Sequence, residues 1–306
     1  MTESSSPTIA IIGFGLIGSS LARAFRHHKI AGRIIAIDRD ADTLETAKKL
    51  NLADEYSDDL SAVGSADIII LCSPVGTYEA IAKAIKPHIK IGAVVSDVGS
   101  VKGRVDQIFE KIFGDEVAFV PAHPVAGTEQ SGPAAGFASL FHERWCILTP
   151  QPKTDKNAIK RIEDLWSNIG ATVEHMDPKH HDLVLAITSH VPHLIAYNIV
   201  GTASDLEEVT RSEVIKYSAG GFRDFTRIAA SDPTMWRDVF LNNKDAVLEM
   251  LGRFSEDLTA LQRAIRWDDG DQLFNLFTRT RDIRRRIIDA GQDEATPDFG
   301  RHHEDD

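Results

Sequence analysis

Along the first half of the chain, short apolar runs alternate with stretches whose apolar residues recur every three or four positions; after Met176 only the second pattern continues. The runs Thr8–Ile12, Ile34–Ile37, Asp67–Cys72, Ala93–Ser96 and Val117–Val120 are predicted strands. Leu16–His28, Ala41–Leu50, Tyr78–Ile85 and Val101–Phe113 are predicted helices between them. Continuous apolar strands separated by helices imply a parallel sheet covered on both faces. That pattern predicts an α/β, doubly wound domain of the Rossmann type. Trp145–Leu148 and Thr172–Glu174, with a helix over Lys156–Ile169 between them, are expected to extend the same sheet. From Pro178 onward the pattern predicts helices at His180–Thr202, Asp205–Tyr217, Thr234–Leu241, Lys244–Ile265 and Asp271–Ala290. Pro233 suits the first turn of one of them. The expected organisation is an α/β domain over 1–177, an all-helical domain over 178–291, and a polar, disordered tail over 292–306.

The segment Gly13-Phe14-Gly15-Leu16-Ile17-Gly18 fits G-x-G-x-x-G, and it stands between the first predicted strand and the first predicted helix. In that context it is a dinucleotide fingerprint. Gly13 permits the tight turn, Gly15 lets the backbone approach a pyrophosphate, and Gly18 allows close packing of helix on strand. The helix start adds free N–H groups and a positive dipole end. The second strand ends at Asp38, where a carboxylate suits the adenosine ribose hydroxyls and repels a 2′-phosphate. NAD is therefore expected rather than NADP, with Arg39 the neighbour able to accommodate the extra phosphate. Ser73-Pro74, just past a strand end, falls on the edge where such cofactors lie.

Composition narrows the partners. The 306 residues carry a formal charge of −12, which argues against nucleic acid and anionic membrane surfaces. No apolar run reaches the roughly 20 residues that a bilayer span needs, and Met1–Pro7 lacks the features of a signal peptide. Cys72 and Cys146 sit in apolar runs without partner spacing, so no disulfide framework is expected and a cytoplasmic setting fits. The long amphipathic helices of the second half suit both closure over a ligand and pairing with a second copy.

Four further segments are dense in chemistry: Asp97–Lys102, Pro121–Gly132, Thr188–His193, and Gly220–Ala229 followed by Ser231–Trp236. His123 follows an apolar strand and should stand at its carboxyl edge. There a neutral imidazole can take the hydroxyl proton that an alcohol gives up on losing hydride. Ser100 follows the neighbouring strand; it either holds that imidazole or the nicotinamide, or caps the helix from Val101. His190 and His193 are spaced i, i+3, a spacing that also suits metal, but no Cys or acidic third ligand stands at matching spacing, although His180 and His181 lie earlier on the stretch; no metal is expected, and the pair reads either as capping or core histidines or as an anion-binding or substrate-orienting pair. Arg227 offers a guanidinium for bidentate capture of a carboxylate. Trp236 also reads as ordinary core.

With these motifs in order, Ile9–Leu261 resembles the prephenate/arogenate dehydrogenase family. The resemblance implies NAD-dependent oxidative decarboxylation of prephenate to 4-hydroxyphenylpyruvate in tyrosine biosynthesis, or the same chemistry on arogenate to give tyrosine. It implies that His123 is the base on the ring hydroxyl and that Ser100 assists it. It implies that Arg227 binds a substrate carboxylate and that His193 contacts the substrate near its side chain. Thr128, Glu129, His181, Gly220, Asp224 and Trp236 match further active-site or interface positions, and a homodimer through the helical domain is implied. A β-hydroxyacid dehydrogenase would need a catalytic lysine in the first helix of its second domain, where only Lys179 lies near. A non-catalytic NAD sensor would not need His123, His193 and Arg227 together.

Overall fold

The computed structural model describes residues 6–205, 216 and 220–289. Two units divide at Met250 and Leu251.

In the first unit, β1 (Thr8–Ile12), α1 (Leu16–His27), β2 (Arg33–Ile37), α2 (Ala41–Lys49), β3 (Glu55–Ser57), β4 (Ile68–Leu71), α3 (Tyr78–Ile85), β5 (Val94–Asp97), α4 (Gly103–Phe113) and β6 (Ala118–Val120) follow in order. The strands form a six-stranded sheet in the order β3-β2-β1-β4-β5-β6, every pairing parallel. Alternation along β1 feeds two cores. Ile9 and Ile11 pack with Phe25, Ile34 and Trp166 on one face, and Ala10 and Ile12 pack with Tyr78, Val95 and Phe109 on the other. The strand order reverses between β1 and β4, so their carboxyl ends open the crevice where α/β sheets of this order take ligands.

Expectation and structure part at the next strands. β7 (Ala122–Pro124), β8 (Trp145–Leu148) and β9 (Thr172–His175) do not extend the large sheet; they form a separate three-stranded one. β7 runs antiparallel to β8, and β8 parallel to β9. Pro121 supplies the physical reason. It has no N–H for a ladder, and its carbonyl accepts from Thr149 N instead. Asp97 Oδ1 accepts from Ala122 N, and Lys102 Nζ donates to Ala122 O at 2.6 Å. The chain thus passes from one sheet to the other across a buried Asp97–Lys102 ion pair of 2.6 Å, both side chains fully buried. α5 (Lys156–Asn168) connects β8 and β9.

From Pro178 every assigned element among the described residues is helical. α6 (Pro178–Leu185) runs through a π turn at Ala186–His190 into α7 (Val191–Asp205). The predicted helix over Asp205–Tyr217 and the predicted tail lie outside the described residues, apart from Asp205 and Lys216. α8 (Gly220–Thr226), a short 3₁₀ turn at Arg227–Ala230, and α9 (Pro233–Asn242) follow; α10 (Lys244–Arg266) begins in this unit. One expectation about membranes needs correcting: Pro178–Asp205 is, by length and composition alone, long and apolar enough to cross a bilayer. Buried polar side chains on it bond to other parts of the protein: His181 to His123 and His190 Nδ1 to Asn243.

The second unit contains the rest of α10 and α11 (Gly270–Asp289). Its helices and the turn between them expose large apolar side chains, among them Trp267, Phe274 and Phe277, each more than half accessible.

Candidate active site

The glycine loop folds as its sequence requires. Gly13 takes φ +92°, a region that glycine adopts without strain. A Cβ on Gly13 would press on the backbone of Ser73, and one on Gly18 would strike the Gly13 carbonyl oxygen. A Cβ on Gly15 would meet nothing within 4 Å, so open space remains where a pyrophosphate would lie. Gly15 caps α1 with no side-chain bond, and the first turn carries no acidic residue. The N–H groups and dipole end are therefore available to an anion. Phe14 is buried, with Leu16 and Ile17 half-buried behind the loop. Asp38 sits at the end of β2, its carboxylate accepting from Phe14 N at 2.7 Å and from Asp40 N at 3.0 Å. Arg39 is exposed beside it. Ser73 Oγ lies 2.9 Å from Thr77 Oγ1 and Pro74 is exposed, both at the carboxyl end of β4. These residues fit a dinucleotide.

His123 lies on β7, 7% exposed. Its Nδ1 is 2.8 Å from His181 Nε2, and His181 Nδ1 is 2.9 Å from Asp182 Oδ1. Asp182 reaches from α6 to the start of α4, accepting from Lys102 N and Gly103 N at 2.8 Å each. α4 begins at Gly103 rather than Val101. The carboxylate over its first turn comes from across the fold, so Ser100 is not its N-cap. Ser100 is half-buried in the loop before α4, and the imidazole of His123 is held by His181.

His193 stacks on Trp236 with ring centroids 3.7 Å apart. Its Nδ1–H donates to the Ser189 carbonyl at 2.8 Å, which leaves Nε2 as an acceptor. Trp236 is 6% exposed, and its Nε1–H is buried with no hydrogen-bond partner among the described residues. Arg227 pairs with Glu129 at 2.9 Å. Its charge is one of the influences that lower the His193 pKa, after burial. Thr128 accepts from Gln130 N in the same exposed loop as Glu129. Gly220 opens α8, and Asp224 lies on it, 3.8 Å from Arg223. His190 and His193 do not face a common metal. His190 is bound to Asn243 while His193 stacks on Trp236, and no group of three or more His, Cys, Asp or Glu suited to a metal occurs among the described residues.

Burial holds four imidazoles below the ordinary histidine value: His123 far below, His181 and His193 less far, and His190 at about 4. Unfolding restores the ordinary value near 6.5, so at lower pH the unfolded chain binds protons that the folded chain refuses. This share of stability is full above pH 6.5 and is lost as pH falls toward about 4. Thermal melts from about pH 7.5 to 5 should show Tm dropping across that window. A flat Tm would contradict neutral burial.

A family model described as "Prephenate dehydrogenase, nucleotide-binding domain" matches residues 21–175, and "Prephenate dehydrogenase, dimerization domain" matches 177–279. The chain belongs to the prephenate dehydrogenase family. It is 43% identical to a cyclohexadienyl dehydrogenase of Zymomonas mobilis, over 90% of this chain and 94% of that protein. It is 35% identical to a prephenate dehydrogenase of Bacillus subtilis, over 90% and 75% respectively. The structure of the Aquifex aeolicus prephenate dehydrogenase, solved with hydroxyphenyl propionate and NAD+, superposes with a TM-score of 0.88 at 36% identity, covering 94% of this chain and all of that one.

Proposed function

We propose that this chain carries out NAD-dependent oxidative decarboxylation of prephenate, supplying 4-hydroxyphenylpyruvate for tyrosine synthesis. The observation that carries this reading is the buried imidazole of His123, held beside the carboxyl edge of the parallel sheet in a prephenate dehydrogenase frame. NAD+ would be held by the Gly13–Gly18 loop and Asp38 and would supply the acceptor for the hydride of the carbinol carbon. His123, kept neutral by burial, takes the hydroxyl proton. Loss of the ring carboxylate as CO₂ restores an aromatic phenol and makes the reaction effectively irreversible. Ser100, half-buried in the loop between β5 and α4, is assigned to the nicotinamide or the hydroxyl. Trp236, His193, Thr128 and Gly220 shape the substrate pocket. Residues 1–177 form the cofactor domain, and 178–291 form a substrate and dimerisation domain. The exposed apolar residues of α11 support a homodimer, and the biosynthetic role supports a cytoplasmic location.

Arg227 is the carboxylate anchor, and a substrate must displace Glu129 from it. Holding the ring carboxylate stabilises the ground state, so this guanidinium positions the substrate and does not drive decarboxylation. Arg227→Ala should raise KM for prephenate about 10- to 100-fold, the size of a lost charged hydrogen bond, and lower kcat far less. A loss confined to kcat would reverse this division of roles.

A second reading, action on arogenate as well, draws on the similarity to the Zymomonas cyclohexadienyl dehydrogenase and on the carboxylates Glu129 and Asp224, which suit an ammonium side chain. NADH formation from NAD+ with prephenate and arogenate in parallel tests both readings. The ratio of kcat/KM assigns the substrate, and silence with both acids overturns the proposal.

A further inference from the structure

We propose that His181 and Asp182 are positioning residues that fix the tautomer of His123, leaving its Nε2 as the one nitrogen able to take a proton. The inference rests on the reading of His123 as the base.

The order of hydrogens is set from the carboxylate inward. Asp182 Oδ1 accepts from Lys102 N and Oδ2 from Gly103 N, at the start of α4, where the helix dipole also favours negative charge. A carboxylate with both oxygens receiving backbone donors can only accept from His181 Nδ1, 2.9 Å away. His181 Nδ1 therefore carries the hydrogen. A neutral imidazole has one N–H, so His181 Nε2 presents a lone pair. His123 Nδ1 faces that lone pair at 2.8 Å and must carry its own hydrogen. Nε2 of His123 is then free. The opposite assignment would set a lone pair of His181 against the carboxylate.

The chain is braced at its far end. Asn243 Nδ2 donates to the Asp182 carbonyl at 2.8 Å and lies 3.1 Å from His190 Nδ1. His181 is fully buried, so no water is at hand to reverse the order. The other charged or titratable groups acting on His123 are Lys102, paired with Asp97, and His190. When Nε2 of His123 gains the hydroxyl proton, Nδ1 keeps its own. The Nδ1–H then donates more strongly to His181, and Asp182 faces the new positive charge along the chain. An orienting acid behind a base, here with one imidazole interposed, is the logic of catalytic triads.

The test is ¹⁵N-histidine NMR on the full-length protein near pH 7.5, with signals assigned through single His→Asn variants. Nδ1–H tautomers are expected at both His123 and His181. In parallel, His181→Phe should lower kcat about 100-fold and shift the acid limb of the kcat–pH profile, with both KM values within about threefold. His181→Gln, which can donate to Asp182 and accept from His123, should recover most of that loss. An Nε2–H tautomer at His123 in active enzyme overturns the relay. So does equal loss in the Phe and Gln variants that tracks Tm. The expected tautomers in a protein inert toward both cyclohexadienyl acids would uphold the relay and remove the functional reading instead.

Discussion

Replacing His123 with asparagine should lower kcat by about 10²- to 10⁴-fold, the range a positioned general base supplies. KM for prephenate and NAD+ should change little. Asparagine keeps an N–H that can reach His181 Nε2, so the packing at the head of β7 survives and the loss reports chemistry. What disappears is the nitrogen that receives the hydroxyl proton. Without it, hydride departure must proceed with the alcohol still protonated or with water as a poorer acceptor. Steady-state rates of NADH formation at saturating substrate are the measurement. A kcat within tenfold of the parent would assign the proton to another group, and the buried histidine chain would lose its purpose.

The second large effect falls on a residue that never meets the substrate. Lys102→Met should destabilise the protein by about 3–5 kcal/mol, the usual cost of removing one partner of a buried ion pair. Asp97 would stay fully buried with its counter-charge gone. Burial raises the Asp97 pKa even with Lys102 in place, so much of the cost would appear as protonation of that carboxyl. Lys102 Nζ also holds Ala122 O, so the strand bearing His123 would loosen and kcat would fall with stability. Changing Asp97 to asparagine in the same protein should recover part of the loss, because an unpaired charge costs more than an unpaired amide. Urea unfolding monitors both variants. A shift below about 1 kcal/mol for Lys102→Met would mean that water reaches the pair, contrary to its complete burial.

Legibility followed the range of the interactions involved. The strands of the large sheet and the glycine loop are local patterns. Each strand announces itself as an apolar run, and the loop as fixed spacing between a strand and a helix. β7 was illegible because three residues, Ala122-His123-Pro124, with another proline before them, do not read as a strand. Their pairing is dictated by Asp97, Lys102 and β8, which are distant in sequence. The reading of Ser100 as a cap failed for the same reason. The carboxylate over α4 is Asp182, 80 residues past Lys102. His181 matches an active-site or interface position of the family without a role that sequence can give it, and Asp182 has no signal of its own; the fold sets both behind His123. The candidate site residues come from shared motifs, and the partners of His123 become visible only once the chain is folded.

Asp182 seated over the first turn of α4 has a consequence for how this enzyme could be recombined with its relatives. The nucleotide-binding half ends near His175, yet the imidazole that contacts His123, the proposed base, comes from the next segment. A hybrid joined at that boundary would inherit a cofactor cradle from one parent and the setting of its acid–base chemistry from the other. Such a splice functions only when the incoming helix presents a carboxylate to the amides of residues 102 and 103 and an imidazole to residue 123. By the same token, a nascent chain that has emerged only as far as β9 can build the cradle while its chemistry stays idle.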